Sequence, residues 1–139
     1  MNNSNFLNSL FELNNKVSVV IGGGGHLCSA IAKGLAKAGS QVIILDLRIE
    51  KAEKIALEIE EITKNRVFFQ TVDVSNKSNL KKCLNEIISI YGRVDNLING
   101  AGINDPTSFL DIRLEDWHKV MDSQITGTML SCQVFGQQM

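Results

Sequence analysis

Four consecutive glycines, Gly22–Gly25, directly follow the apolar run Val17–Ile21 and directly precede a helical pattern. Without a Cβ the backbone can turn sharply and come close to an anion. The N–H groups opening the next helix, at the positive end of its dipole, can then hold a phosphate. Twenty-four residues after Gly22, Asp46 closes the next apolar run, Val42–Leu45. A carboxylate at the end of a second strand is placed to accept hydrogen bonds from the adenosine ribose of a dinucleotide. Such an acid repels a 2′-phosphate and favours NAD over NADP, while Arg48 nearby pulls the other way. The glycines do not meet strict G-x-G-x-x-G, because Cys28 stands at the last position, and no Gly-Lys-Ser/Thr makes them a phosphate loop of the Walker kind. The plain alternative is a glycine-rich turn. Four glycines in a row cost chain entropy that a turn alone does not explain.

Alternating elements must position these residues. After the glycines, Leu27, Ala30, Ile31, Gly34, Leu35 and Ala38 recur at helical spacing, and Gly39 sits where a helix-ending glycine belongs. A second stripe runs through Ala52, Ile55, Ala56, Ile59 and Ile62. Val67–Val72 reads as a third strand closed by Asp73, with Ser75 in the N-cap region of a third helix. That helix carries Leu80, Cys83, Leu84, Ile87, Ile88 and Tyr91 on one stripe, with Gly92 beyond it. Val94–Ile98 reads as a fourth strand, followed by the small-residue turn Asn99–Gly102. From about Leu114 to the end the pattern predicts one long helix, with Trp117, Met121, Ile125, Thr128 and Cys132 along one side. Glu115 and Asp116 fall in its first turn, where acids suit the macrodipole. Strand–helix alternation with short connections implies βαβ units, a parallel sheet and helices on both faces.

Composition sets bounds. The chain has 139 residues, 14 basic and 15 acidic side chains and a hydrophobic fraction of 44%, which suits one globular domain and argues against disorder. The charges cancel, so bulk basicity gives no support for nucleic-acid binding. Lys33, Lys37, Lys51, Lys54, Lys81 and Lys82 sit among acids on polar helix faces and read as solvated surface. No apolar run approaches the roughly 18–20 residues of a membrane helix. The start lacks a secretory signal pattern, and residues 1–10 are Asn-rich and expected to be flexible. Three widely spaced cysteines suit reduced thiols and a cytoplasmic location, and no metal site is expected.

With these residues in view, the chain resembles the N-terminal half of a short-chain dehydrogenase/reductase. The family's TGxxxGxG reads Ile21-Gly22-Gly23-Gly24-Gly25-His26-Leu27-Cys28 here. Gly22 matches the first glycine; Ile21, His26 and Cys28 depart, and Gly25 supplies the flexibility of the usual middle glycine. The family's Asp-Val after the third strand matches Asp73-Val74, and its NNAG matches Asn99-Gly100-Ala101-Gly102. The resemblance implies a Rossmann-type doubly wound parallel sheet, four strands in order 3-2-1-4, truncated before a fifth. It implies a single dinucleotide-binding domain over residues 1–139, incomplete at its C-terminus. The cofactor residues it implies are Gly22, Gly24, Gly25, His26, Leu27, Asp46, Leu47, Asp73, Val74, Asn99, Ala101 and Gly102. The family's catalytic Asn position is Gln124, followed three residues later by Gly127. The longer side chain would displace the water that the Asn holds. The catalytic Ser, Tyr and Lys are absent: the single tyrosine, Tyr91, is followed four residues on by Asp95, not Lys.

The implied activity is hydride transfer between NAD(H) and an alcohol or carbonyl, with this chain binding and orienting the dinucleotide. A small-molecule substrate is expected, and the glycine loop, Ile98–Gly102 and the Gly127–Gly136 stretch resemble sugar-acid reductases of the fructuronate type. A homo-oligomer through the long helix of the full-length protein is implied too. Alone, the chain is expected to be inactive, marginally stable and prone to associate, because the fourth strand is left as an edge and Val120, Leu130 and Val134 lose their cover. The alternatives are a non-catalytic dinucleotide-binding module or degraded member, and an unrelated flavodoxin- or receiver-like domain. His26 either contacts pyrophosphate or is a solvated first-turn residue. Cys28 reads as a small buried residue rather than a redox switch, His118 as surface or packing, and Tyr91 as structural. Asp105, Pro106 and Thr107 border the ligand crevice or form an ordinary turn.

Overall fold

The computed structural model describes residues 9–139. The expectation of a flexible start falls mainly on residues outside that range; residues 9–11 are helical. Val17–Ile21 forms β1, His26–Lys37 α1, Gln41–Asp46 β2, Ile49–Thr63 α2, Phe68–Thr71 β3, Lys77–Tyr91 α3 and Asn96–Asn99 β4. The C-terminal helix consists of α4 (Leu114–Met121), a π-helical turn (Asp122–Thr126) and α5 (Gly127–Phe135). The four strands are parallel in the order β3-β2-β1-β4, as expected. Val19 lies level with Ile43 on one side and Leu97 on the other.

Side-chain alternation along the strands feeds two cores. Val17, Val19, Ile21, Ile43 and Leu45 pack with α3 and α5, whose Leu80, Cys83, Ile87, Val134 and Phe135 are buried there. Val20, Val42 and Ile44 pack with α1 and α2 on the opposite face. Burying one such Leu, Ile, Val or Phe contributes roughly 1.5–3 kcal/mol. The α2 and α3 stripes point inward as their periodicity predicts, except that Ile62 is exposed. Gly92 ends α3 in the left-handed conformation at φ 75°. The N-cap of α3 is Asn76, one residue past the expected Ser75, with its side chain accepting from the Asn79 N–H. The fourth strand starts at Asn96 rather than Val94, although Val94 is buried in the core.

Two helices turn their other side inward. In α1 the buried residues are Cys28, Ser29, Ala32 and Ala36, whereas Leu27 and Ile31 of the expected stripe are exposed. Both sides of α1 are short or apolar, so periodicity does not choose between them; the smaller side chains allow the closer approach to the sheet. In the C-terminal helix, Val120, Leu130, Ser131, Val134 and Phe135 are half-buried or buried, while of the expected stripe Trp117, Ile125, Thr128 and Cys132 are exposed and only Met121 is half-buried. The π turn inserts extra backbone and rotates the stripe about the axis, which a uniform helical period does not anticipate. Val120, Leu130 and Val134 therefore have cover within this chain, contrary to expectation. Among the described residues, no helix is long and apolar enough to cross a membrane.

Candidate dinucleotide site

The strand order reverses between β1 and β4: β1, β2 and β3 step one way, and β4 returns to the other side of β1. In open α/β sheets, ligands bind outside the carboxyl ends of the strands at this switch point. A cleft of about 580 Å³ lies there. Of the expected residues, Gly22, Gly25, Asp46, Leu47, Asp73, Val74, Ala101 and Gly102 line it. Gly24, His26, Leu27, Asn99 and Gln124 do not. His26 and Leu27 are exposed at the first turn of α1, where backbone N–H groups have no intrahelical partner.

Three loops meet at the cleft, and glycines set how closely. Gly22 has φ +74°, and a Cβ on it would lie 2.7 Å from the Gly100 and Ala101 backbone. The glycine loop and the turn after β4 thus touch main chain to main chain, tied by the Gly100 N–H donating to the Ile21 carbonyl at 3.0 Å. A Cβ on Gly100 would collide with Cys28 Sγ. Cys28 stands where the family motif has its last glycine, and Gly100 where it has its second Asn: the bulk has moved from one loop to the other. Cys28 is buried, as expected of a packing residue, and burial together with the Asp46 charge pushes its thiol up from the ordinary value.

Asp46 is only 6% exposed. Its Oδ2 accepts from the Gly24 N–H and its Oδ1 from the Arg48 N–H, both at 3.0 Å. The exposed Arg48 side chain comes to 3.9 Å from Oδ1. Asp73 Oδ1 accepts from Ser75 N–H at 2.9 Å and Ser75 Oγ at 2.7 Å, leaving Oδ2 outside these bonds. Asn79 Oδ1 holds the turn by accepting from the Asp73 N–H at 2.8 Å.

Lys119, Asp122, Ser123 and Ile103 line the far wall, and sequence reasoning did not pick them out. The available signal was Gly127, a glycine inside a helix, where one marks a close approach. Its absent Cβ would lie 2.6 Å from Val74 Cγ2, so the helix closes directly on the Asp73–Val74 turn. The π turn then grips the loop after β4 at one residue: Ile103 N–H donates to Ser123 Oγ at 3.1 Å, and Gln124 Nε2 donates to the Ile103 carbonyl at 3.2 Å. The Gln124 amide also covers Gly102, where a Cβ would come within 2.6 Å of it. Asn99 at the end of β4 donates to Cys132 Sγ at 3.3 Å, while its Oδ1 is buried without a partner among the described residues.

The remaining candidates fall outside the cleft. Asp105 accepts from the Thr107 N–H at 2.8 Å in an ordinary turn, and the Thr107 side chain, with this N–H, lowers its carboxyl below the usual range. His118 is exposed. Tyr91 packs edge-on against Phe68 with ring centroids 6.5 Å apart, and burial pushes its phenol up. Its place, against Phe68 and away from the cleft, is a packing position.

A family model described as short chain dehydrogenase matches residues 16–139. The chain belongs to this family. It is 33% identical to an uncharacterized oxidoreductase, UxuB, of Bacillus subtilis, over 92% of this chain and 51% of that protein. It is 30% identical to an NAD-dependent glycerol dehydrogenase of Listeria innocua, over 93% of this chain and 49% of the relative. Among solved structures, a protein of Haemophilus influenza provisionally assigned as a D-mannonate oxidoreductase, with bound NAD, superposes with a TM-score of 0.86 at 30% identity. That match covers 94% of this chain and 52% of the other. The chain thus spans about half the length of the relatives it matches. The Rossmann-type sheet in order 3-2-1-4 and the family membership stand as expected; the receiver- and flavodoxin-like alternatives do not.

Proposed function

We propose that this short-chain dehydrogenase chain binds NAD and supplies the cofactor-binding half of an oxidoreductase acting between an alcohol and a carbonyl. The observation that carries the reading is Asp46: a buried carboxylate at the end of β2, seated beside the glycine loop and lining the cleft. The cleft's donors and acceptors suit a dinucleotide. Asp46 has acceptor capacity left for the adenosine ribose hydroxyls, and Asp73 Oδ2 for the adenine amino group. Gly22, Gly25 and the first-turn N–H groups of His26 and Leu27 would seat the pyrophosphate. Leu47, Val74, Asn99, Ala101 and Gly102 would complete the walls and their support, with Gly24 as part of the loop. Bound NAD would supply the hydride-accepting nicotinamide; this chain's residues bind, orient and shield it. Asp46 favours NAD, while Arg48, which also lines the cleft, is a side chain that would tolerate a 2′-phosphate.

The NAD-dependent glycerol dehydrogenase and the mannonate-type neighbour support a polyol, sugar or sugar-acid substrate. The amide of Gln124 is committed to the Ile103 carbonyl, so it serves the loop rather than a relay water. With Tyr91 structural and no Tyr-x-x-x-Lys in the sequence, the chain by itself binds without turnover. That same observation favours a second reading, a non-catalytic dinucleotide-binding module. The exposed Leu114, Trp117, Ile125 and Met129 side of the C-terminal helix supports a homo-oligomer, and the unpaired cysteines support a cytoplasmic location.

The test is a calorimetric titration of the protein with NADH and NADPH, alone and as Asp46→Ala. Selective NADH binding, weakened at least about tenfold in the variant, is the expected result, since hydrogen bonds to a charged group are worth about 1.5–3 kcal/mol. Absence of NADH binding by folded protein, or an unchanged affinity in Asp46→Ala, overturns the reading. Substrate-dependent NADH oxidation by this chain at rates of an ordinary dehydrogenase overturns the claim that it lacks turnover.

A further inference from the structure

We infer that Asp46 is a positioning residue for the glycine loop as well as a ribose acceptor, so that one carboxylate couples the ribose and pyrophosphate subsites. This deepens the dinucleotide reading and rests on it for its consequence, though not for its structural part.

The accounting of loop N–H groups carries it. Gly23 N–H donates to the Leu45 carbonyl at 3.0 Å, and Gly25 N–H to the Gly22 carbonyl at 2.9 Å. Both acceptors are main chain and survive any side-chain replacement. Gly24 N–H differs, because its acceptor is Asp46 Oδ2 at 3.0 Å. The middle of the loop is thus held by a side chain from the end of the neighbouring strand. That side chain is itself fixed: its Oδ1 accepts from the Arg48 N–H at 3.0 Å, and the residue is buried.

Packing shows how tightly the loop rests on this carboxylate. A Cβ on Gly24 would come within 2.5 Å of Lys51 Cβ and 2.9 Å of Asp46 Oδ2. Gly24 is therefore glycine because the loop lies flat on Asp46 and the first turn of α2. Gly24 does not line the cleft, whereas Gly25 does, and α1 starts at the next residue. Removing the acceptor under Gly24 frees the segment that sets where the first turn of α1 presents its N–H groups. Loss of Asp46 then weakens binding of a ligand that has no ribose hydroxyls to offer it.

The experiment has two arms. In the ligand-free protein, residue-resolved amide hydrogen exchange by NMR is compared between wild type and Asp46→Ala. Gly24 exchange is expected to rise at least about tenfold, as for loss of a charge-assisted hydrogen bond, with Gly23 and Gly25 much less affected. Asp46→Asn, which keeps one acceptor oxygen with little change in shape, is expected to fall between the two and covers the case in which the alanine variant does not fold. In the second arm, ADP and 2′,3′-dideoxy-ADP are titrated into wild type and variants. Both nucleotides are expected to weaken, the dideoxy form at least threefold. If Gly24 exchange is unchanged in Asp46→Ala and Asp46→Asn, or if only ADP weakens and the dideoxy form binds all proteins equally, the positioning role is overturned. If wild type binds neither nucleotide, the dinucleotide reading and the coupling of subsites fail together. The exchange arm still decides whether Asp46 holds the loop.

Discussion

The two ends of the parallel sheet each carry a carboxylate at a strand terminus, and the two are satisfied in opposite ways. At the N-terminal end, Asp95 accepts from the Val17 N–H at 2.9 Å, from Lys16 Nζ at 3.2 Å and from the Arg93 guanidinium. These partners, Arg93 foremost, hold its carboxyl down to about 2. Asp95 is thereby spent on tying β4 to β1, beside a chain in which half-buried Asn96 donates to buried Ser18 and Ser18 meets Ser40. At the C-terminal end, Asp46 accepts from two main-chain N–H groups, and its nearest cation, Arg48, is exposed. An ionised carboxylate offers about four acceptor sites, so Asp46 keeps capacity that Asp95 has given to Lys16 and Arg93. A carboxylate paired closely with cations fastens strands; one hydrogen-bonded by main chain alone, at the wall of a cleft, is left to receive donors from a ligand.

Substitutions at the two ends should separate accordingly. The largest effect is expected at the loop crossing. Gly22→Ala imposes a positive φ on a residue with a Cβ and drives it into the Gly100–Ala101 backbone. We expect a loss of about 2–4 kcal/mol in urea unfolding together with loss of NADH binding. A variant as stable as wild type would mean that the functional end is not built on main-chain contact. Next is the exchanged bulk. Gly100→Ala should cost about 1–3 kcal/mol by overpacking against Cys28, and Cys28→Gly in the same chain should recover part of it. A double-mutant coupling below about 0.5 kcal/mol would show that the two positions are independent.

The smallest effect is expected at Asp95. Asp95→Asn should lower stability while leaving NADH affinity within twofold of wild type. Because folding depresses this carboxyl to about 2, its contribution is present above the unfolded value, about 3.9. It is lost as pH falls through about 2. Urea midpoints of wild type and Asp95→Asn should therefore converge as pH is lowered from about 4 to about 2, and high salt should narrow the gap at pH 7. A gap that persists at pH 2, or a change in NADH affinity, would break the contrast between the two ends.

Much of the fold was legible because polarity contrast marks it. Leu80, Cys83, Leu84 and Ile87 stand against charged neighbours, so only one side of α3 can be buried. Val17–Ile21, Ser18 apart, and Val42–Leu45 are apolar, as strands covered on both faces must be. In the site, eight of the twelve cofactor residues expected from sequence line the cleft, because each ends or follows a strand and so lands at the sheet's carboxyl end. Asn99 and Gly24 were assigned to the ligand but touch the framework that shapes the loops. Lys119, Asp122 and Ser123 were illegible because their place depends on the crossing of a helix over the turn after β3.

What the sequence by itself determined is the order of the strands and the helices between them and the chemistry at the strand ends. All of these follow from local patterns of apolar, small and acidic residues. Tertiary structure alone decided which side of α1 and of the C-terminal helix faces inward, and why Gly22, Gly24, Gly100 and Gly127 carry no side chain. Each of those depends on the distance between segments far apart in the chain. A period along one helix cannot express that distance; close packing against a second loop or sheet does.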